Sequence, residues 1–175
     1  MQLMDRVRKS EFLGQEFLLW LWFRSETNQG IFDLGDAGKA ELWLDRKLVL
    51  QSESDDEVAK ITCSGGNPSQ LKEARFALTE NKRITEAMLK LIIGDDEWSF
   101  IIDSTWMNFK SFKAPKVMQA GKDDPEGFFY EKFFLIEQAV SAMDRIYASF
   151  IKIRTSSDWE SRELPALTEW IEKGK

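Results

Sequence analysis

The spacing of apolar positions changes several times along the chain, and each change marks an element. Over residues 3–25, Leu13, Phe17 and Leu21 form one row at helical spacing, and Phe12, Glu16, Leu19 and Phe23 form its neighbour. Trp20 and Trp22 widen the arc until little polar face remains. A helix apolar nearly all round is buried or lies in an interface. Gly30–Leu34 reads as a short strand. Ala40–Leu44 and Lys47–Leu50 read as a hairpin turning at Asp45-Arg46, and Ser52–Glu57 as an acidic loop. Val58–Cys63 alternates as a strand does. After Gly65-Gly66, the run Asn67-Pro68-Ser69-Gln70 predicts a helix start, with Asn67 as cap, and the helix extends to about Glu80. Arg83–Ile93 and Glu97–Asp103 flank Gly94-Asp95-Asp96 as a long hairpin. Ile84, Glu86, Met88 and Lys90 are assigned to one face, and Thr85, Ala87, Leu89 and Leu91 to the other.

Residues 104–122 read as irregular, and Pro125–Arg154 as the longest helix. Phe129, Phe133, Ile136, Val140, Met143, Tyr147 and Phe150 are spaced 4, 3, 4, 3, 4, 3, a heptad seam. Phe128, Phe134, Leu135 and Ile146 broaden it. A wide arc favours the core stripe of a helix lying on a sheet, and the alternative is a docking face. Ser157-Asp158-Trp159-Glu160 is a capping box, and it predicts a last helix ending at Gly174. The expected fold is α+β: an antiparallel sheet with helices packed mainly on one face and a long C-terminal helix.

Composition narrows the chemistry. The 175 residues include seven Trp and thirteen Phe, and aromatics are enriched at interfaces. Trp20, Trp22, Phe23, Phe129, Phe133 and Val140 are the candidate interface residues. The chain has no histidine, which removes the commonest general base and zinc ligand. Cys63 is the only cysteine, so no intrachain disulfide forms. The longest apolar run, Phe17–Phe23, is seven residues where a span needs about 20. Met1–Ser10 lacks a signal-peptide core, and the reading is a cytosolic protein. No catalytic, cofactor or metal signature stands out. Asp95, Asp96, Glu97 and Asp103 near one hairpin could hold a hard cation, but turn chemistry explains the first two. Cys63 reads as a core residue.

Charge supplies the sharpest functional expectation. The net charge is −6, from 24 Lys+Arg and 30 Asp+Glu. Residues 104–122 hold Lys110, Lys113, Lys116 and Lys122 and no acid, so +4 sits there and −10 elsewhere. Trp106, Phe109 and Phe112 interleave with those lysines. Lysines can meet phosphates while aromatic faces stack on bases. Lys82, Arg83 and Lys90 extend that surface if their strand joins it. The alternative is a hairpin flank with aromatics in the core and lysines in water. Edge-strand lysines also discourage aggregation.

The same region carries a resemblance. Ile61–Gln70, Leu71 and Glu73, then Asn81-Lys82-Arg83-Ile84-Thr85, Leu89 and Leu91 follow the order of one known family. Trp98-Ser99-Phe100-Ile101-Ile102-Asp103, Phe109-Lys110-Ser111-Phe112-Lys113 and a closing apolar helix continue it. These residues resemble the C-terminal half of the RdgC family of bacterial recombination-associated proteins, over about Phe12–Ile153. Asn81 stands where the family tends to have glycine, and the family's N-terminal half is missing. The resemblance implies a single α+β domain over 1–175: a helix at 1–28, a sheet with one helix at 30–103, and helices at 125–175. It implies a non-enzymatic, sequence-independent DNA binder in the nucleoid that restrains RecA-driven strand exchange. It also implies a homo-oligomer, or a partner chain supplying the missing half. Lys82, Lys110 and Lys113 are the DNA contacts it carries over, and Lys116 and Lys122 follow from charge. The rival expectation is a protein-interaction subunit with no DNA contact, resting on the acid excess and the aromatic helices.

Overall fold

The computed structural model describes residues 3–52, 60–66, 68–117 and 124–173. The Asn67 cap, Lys122, Gly174 and most of the acidic loop lie outside these residues, as does the start of the strand expected from Val58. Helix α1 (Leu3–Thr27) leads into strands β1 (Ile31–Asp33), β2 (Lys39–Gln51) and β3 (Lys60–Ser64). Helix α2 (Pro68–Thr79), strands β4 (Arg83–Ile93), β5 (Asp96–Asp103) and β6 (Phe109–Lys113), helix α3 (Pro125–Arg154) and helix α4 (Leu164–Glu172) follow.

The sheet runs β1-β2-β4-β5-β6 with every neighbouring pair antiparallel, and β3 lies beside β1 on the outer side of β2. Its apolar face is built from cross-strand rows. Leu42, Leu91 and Trp98 form one row, Leu44, Leu89 and Phe100 the next, and Leu48, Ala87 and Ile102 a third. These rows join α1, α3 and Trp159 in one core, so the helices cover one face.

Three local irregularities depart from the sequence reading. The expected hairpin at Asp45-Arg46 is one continuous strand, because Asp45, Arg46 and Lys47 bulge opposite Met88 alone. The bulge carbonyl of Arg46 accepts from Gly65 N at 2.7 Å, so it is satisfied without a turn. On β4, Thr85 is an extra residue between the Val49–Glu86 and Leu50–Ile84 pairs. It moves Ile84 to the face of Ala87 and Leu89, whereas strict alternation assigns Ile84 to the other face. Part of the irregular 104–122 stretch is strand β6, bulged at Ser111, whose φ is +52°. That bulge turns Phe109 and Phe112 to the same side, both against Phe100.

From Phe17 on, helix α1 packs between the sheet and the other helices. Trp20 packs on Phe32 and Phe150, while Trp22 and Phe23 meet Trp170 edge-on. Trp20, Trp22 and Phe23 are therefore core residues and not the free interface residues expected from the sequence. Trp22 Nε1 donates to Glu26 Oε1 at 2.7 Å, and Trp20 Nε1 to Glu163 Oε2 at 3.2 Å. Arg24–Glu163 and Arg75–Glu26 ion pairs tie α1 to the α4 segment and to α2.

The last helix also starts differently from the expected capping box. Asp158 makes no side-chain cap, and Ser156 Oγ instead accepts from Asp158 N at 3.3 Å. A π-turn follows over Trp159–Glu163, in which Leu164 N donates to Trp159 O. Pro165 accounts for it: a proline has no N–H to give and its ring crowds the carbonyl four residues back.

Candidate functional site

The expected cationic ridge is divided by the fold. On the uncovered sheet face, Ser99 pairs with Lys90 on one side and Lys113 on the other, and Ile101 pairs with Lys110. Acids share this face. Lys90 Nζ lies 2.8 Å from Glu97 Oε2. Lys110 Nζ donates to Glu86 Oε1 at 3.1 Å and also lies 3.1 Å from Asp103 Oδ2. Glu86 accepts from Lys47 as well, at 3.0 Å. Lys47 chiefly, with help from Lys110, holds the Glu86 carboxyl below the usual glutamate range. Glu86, then Asp103, holds the Lys110 ammonium above the usual lysine range. Both groups are charged and mutually satisfied near neutral pH.

The remaining cations are dispersed. Lys82 is 9% exposed and lies in a cleft on the helix-covered side of the sheet, not on the open face. Arg83 beside it is exposed. Lys113 and Lys116 are exposed, with no carboxylate within ion-pair distance among the described residues. Trp106, held in the β5–β6 connection by its N–H to Asp103 Oδ1 (2.7 Å), exposes half its surface. Phe109 and Phe112 are half-buried against the core. Asp96 and Asp103 occupy opposite ends of β5, seven residues or about 23 Å apart. Asp103 therefore cannot share one ion with Asp95, Asp96 and Glu97. Cys63 is buried, and burial pushes its thiol up, as for an inert core residue.

The first third of α3 presents a different surface. Asp124 caps the helix, accepting from Gly127 N at 2.9 Å, with Pro125 in the first turn. Trp98 Nε1 donates to the Leu135 carbonyl at 2.9 Å and pins the helix where it reaches the sheet. From there Leu135, Ala139, Ala142, Met143, Ile146 and Phe150 are buried. Before it, none of residues 125–134 is buried. At 1.5 Å per residue this free length is about 15 Å. It carries Phe128, Phe129, Tyr130, Phe133 and Phe134, with Ile136 following. Their exposures run from 37% for Ile136 to 64% for Phe129. Phe129 and Phe133 are thus at the surface as a docking seam requires, while Val140 is half-buried.

The sequence reading takes Phe128 and Phe134 as widening a core stripe, whereas the structure leaves them at the surface with Phe129, Tyr130 and Phe133 and buries the stripe only from Leu135. Tyr130 lies off the stripe, and its signal was the unbroken aromatic run 128–130. Among the described residues no helix is long and apolar enough to cross a membrane. No family model, curated protein or solved structure matches this chain.

Proposed function

We propose that the chain is a non-catalytic protein-interaction module and that the free end of α3 takes a second copy of itself. The observation that carries this reading is the exposed aromatic run from Phe128 to Phe134. At about 200 Å² per aromatic side chain the five rings expose roughly 600 Å² in all, at the top of what monomers leave exposed, and about 240 Å² of it lies on the seam at Phe129 and Phe133. Charge suits a second copy. Lys132 flanks one side of the seam and Glu137, five residues on, flanks the other. Two parallel copies would bring each Lys132 against the other's Glu137. Light scattering after gel filtration tests this. The chain should run as a dimer, and Phe129→Ser/Phe133→Ser should run as a folded monomer. A wild-type monomer throughout the micromolar range would overturn it.

A second reading, sequence-independent DNA binding with an effect on RecA-dependent recombination, is favoured by exposed Trp106, Lys113 and Lys116 on a stretch without acids. A nucleoid location belongs to this reading. Few phosphate contacts per chain give weak, salt-sensitive binding, which self-association would reinforce by avidity. The check is a DNA mobility shift at low and moderate salt. A shift lost in Lys113→Ala/Lys116→Ala supports this reading, and no shift by the dimer removes it.

A further inference from the structure

Lys82 is 9% exposed, yet its Nζ is not one of the fully enclosed side-chain polar atoms, so the stem is covered while the ammonium meets solvent. Among the described residues no carboxylate lies within ion-pair distance of it. Its surroundings form a cleft of about 550 Å³ between α1, α2, α4 and the start of β4. That volume falls in the range of small-molecule sites, roughly 300–1,000 Å³. Leu19, Leu78, Ile84 and Ile171 give the cleft apolar walls. Glu16, the acid on the lining, is already committed: Arg154 Nε donates to its Oε2 at 2.6 Å, and Nη2 reaches Oε1 at 3.4 Å. Gln15, also on the lining and 9% exposed, has a side-chain oxygen with no hydrogen-bond partner. Its carboxamide ends are isosteric, so a half-turn offers Nε2–H in place of Oε1.

We infer that this cleft is a binding site for a small organic anion, a monocarboxylate with an apolar chain. The carboxylate is held by Lys82 with Gln15 as second donor, and the chain lies against Leu19, Leu78, Ile84 and Ile171. A cation with no carboxylate partner among the described residues, beside an acid already paired with Arg154, favours negative charge, and the aliphatic walls select against a bare inorganic ion.

The test is calorimetric titration of the full chain with octanoate, octanol and inorganic phosphate. Octanoate should bind saturably, and octanol and phosphate each at least tenfold more weakly. Lys82→Gln should weaken octanoate about ten- to a hundredfold, the loss expected for one charge-assisted hydrogen bond. Its circular-dichroism spectrum and unfolding midpoint report whether it is folded. A second measurement on the wild type avoids the variant altogether. Octanoate should slow acylation of Lys82 by an amine-reactive ester, read by peptide mass spectrometry, and leave Lys116 unaffected. Absence of saturable octanoate binding, equal binding by folded Lys82→Gln, phosphate binding as tight as octanoate, or unprotected Lys82 would each overturn the assignment.

Discussion

Replacing Gly14 with alanine sets two effects of opposite sign against each other. Gly14 lies within α1, where an alanine ordinarily gains about 1 kcal/mol of helix propensity. Here an added Cβ would sit 1.9 Å from the Ser104 carbonyl oxygen and 2.7 Å from its carbonyl carbon. Ordinary carbon–oxygen contacts lie near 3.3–3.6 Å, so α1 and the end of β5 must separate by about 1.4 Å. The obstacle is backbone, and it is fixed by the Ser104 N–H donating to Thr85 O at 2.8 Å. No side-chain rotamer can relieve it. A rigid backbone obstacle puts the overpacking cost at the upper end of the usual range, about 2–3 kcal/mol, which outweighs the propensity gain. Gly14→Ala should therefore lose about 1–2 kcal/mol net, read as a lower urea midpoint at unchanged slope. A variant as stable as the wild type, or more stable, would refute the close approach of α1 to Ser104.

Further outcomes follow from the same contacts. Trp98→Phe removes the bond to Leu135 O and part of a ring that is fully buried, and should cost about 2–3 kcal/mol in chemical denaturation. Glu86 is held below its unfolded value, so the stability it contributes is full above the ordinary glutamate value of 4.5 and is lost as pH falls through the folded value. Glu86→Gln should accordingly cost up to about 1 kcal/mol at neutral pH, discounted for partial exposure, and the difference from wild type should close in acid. If DNA is bound at the β6 edge, Glu86→Gln/Asp103→Asn frees Lys110 from both acids and should tighten binding. The slope of log affinity against log salt should then steepen by about 0.9. Unchanged affinity would place DNA, if bound, away from Lys110.

Elements with unbroken periodicity were legible in the sequence. The bounds of α3, Pro125–Arg154, follow from its seam and from Pro125, and the β4–β5 hairpin from its apolar alternation around Gly94. The misreadings share one physical origin. The two extra residues at 45–47 keep the parity of Leu44 and Leu48 but mimic a turn, while a one-residue bulge shifts the parity of a strand, so Thr85 and Ser111 defeat any reading that counts by twos. β6 was hidden for that reason, since Phe109 and Phe112 face the same way three residues apart. The candidate site was less legible because charge pairing depends on cross-strand register. Glu86 and Asp103 lie far from Lys110 in this sense: Glu86 is two strands away, yet its carboxylate reaches the same ammonium. Lys82 looked like a surface strand residue until α1, α2 and α4 were placed around it.

The kink at Ser111 has a consequence for how chains can aggregate. β6 is only five residues long, breaks its own ladder near the middle and carries a cation on either side of the break. Such a border offers a poor template for another backbone to zip onto. At the opposite margin the strands described are again brief, three and five residues. Growth by strand addition, the usual route from an open sheet to fibrils, is thereby blunted at both ends, and contact between molecules is steered toward side chains.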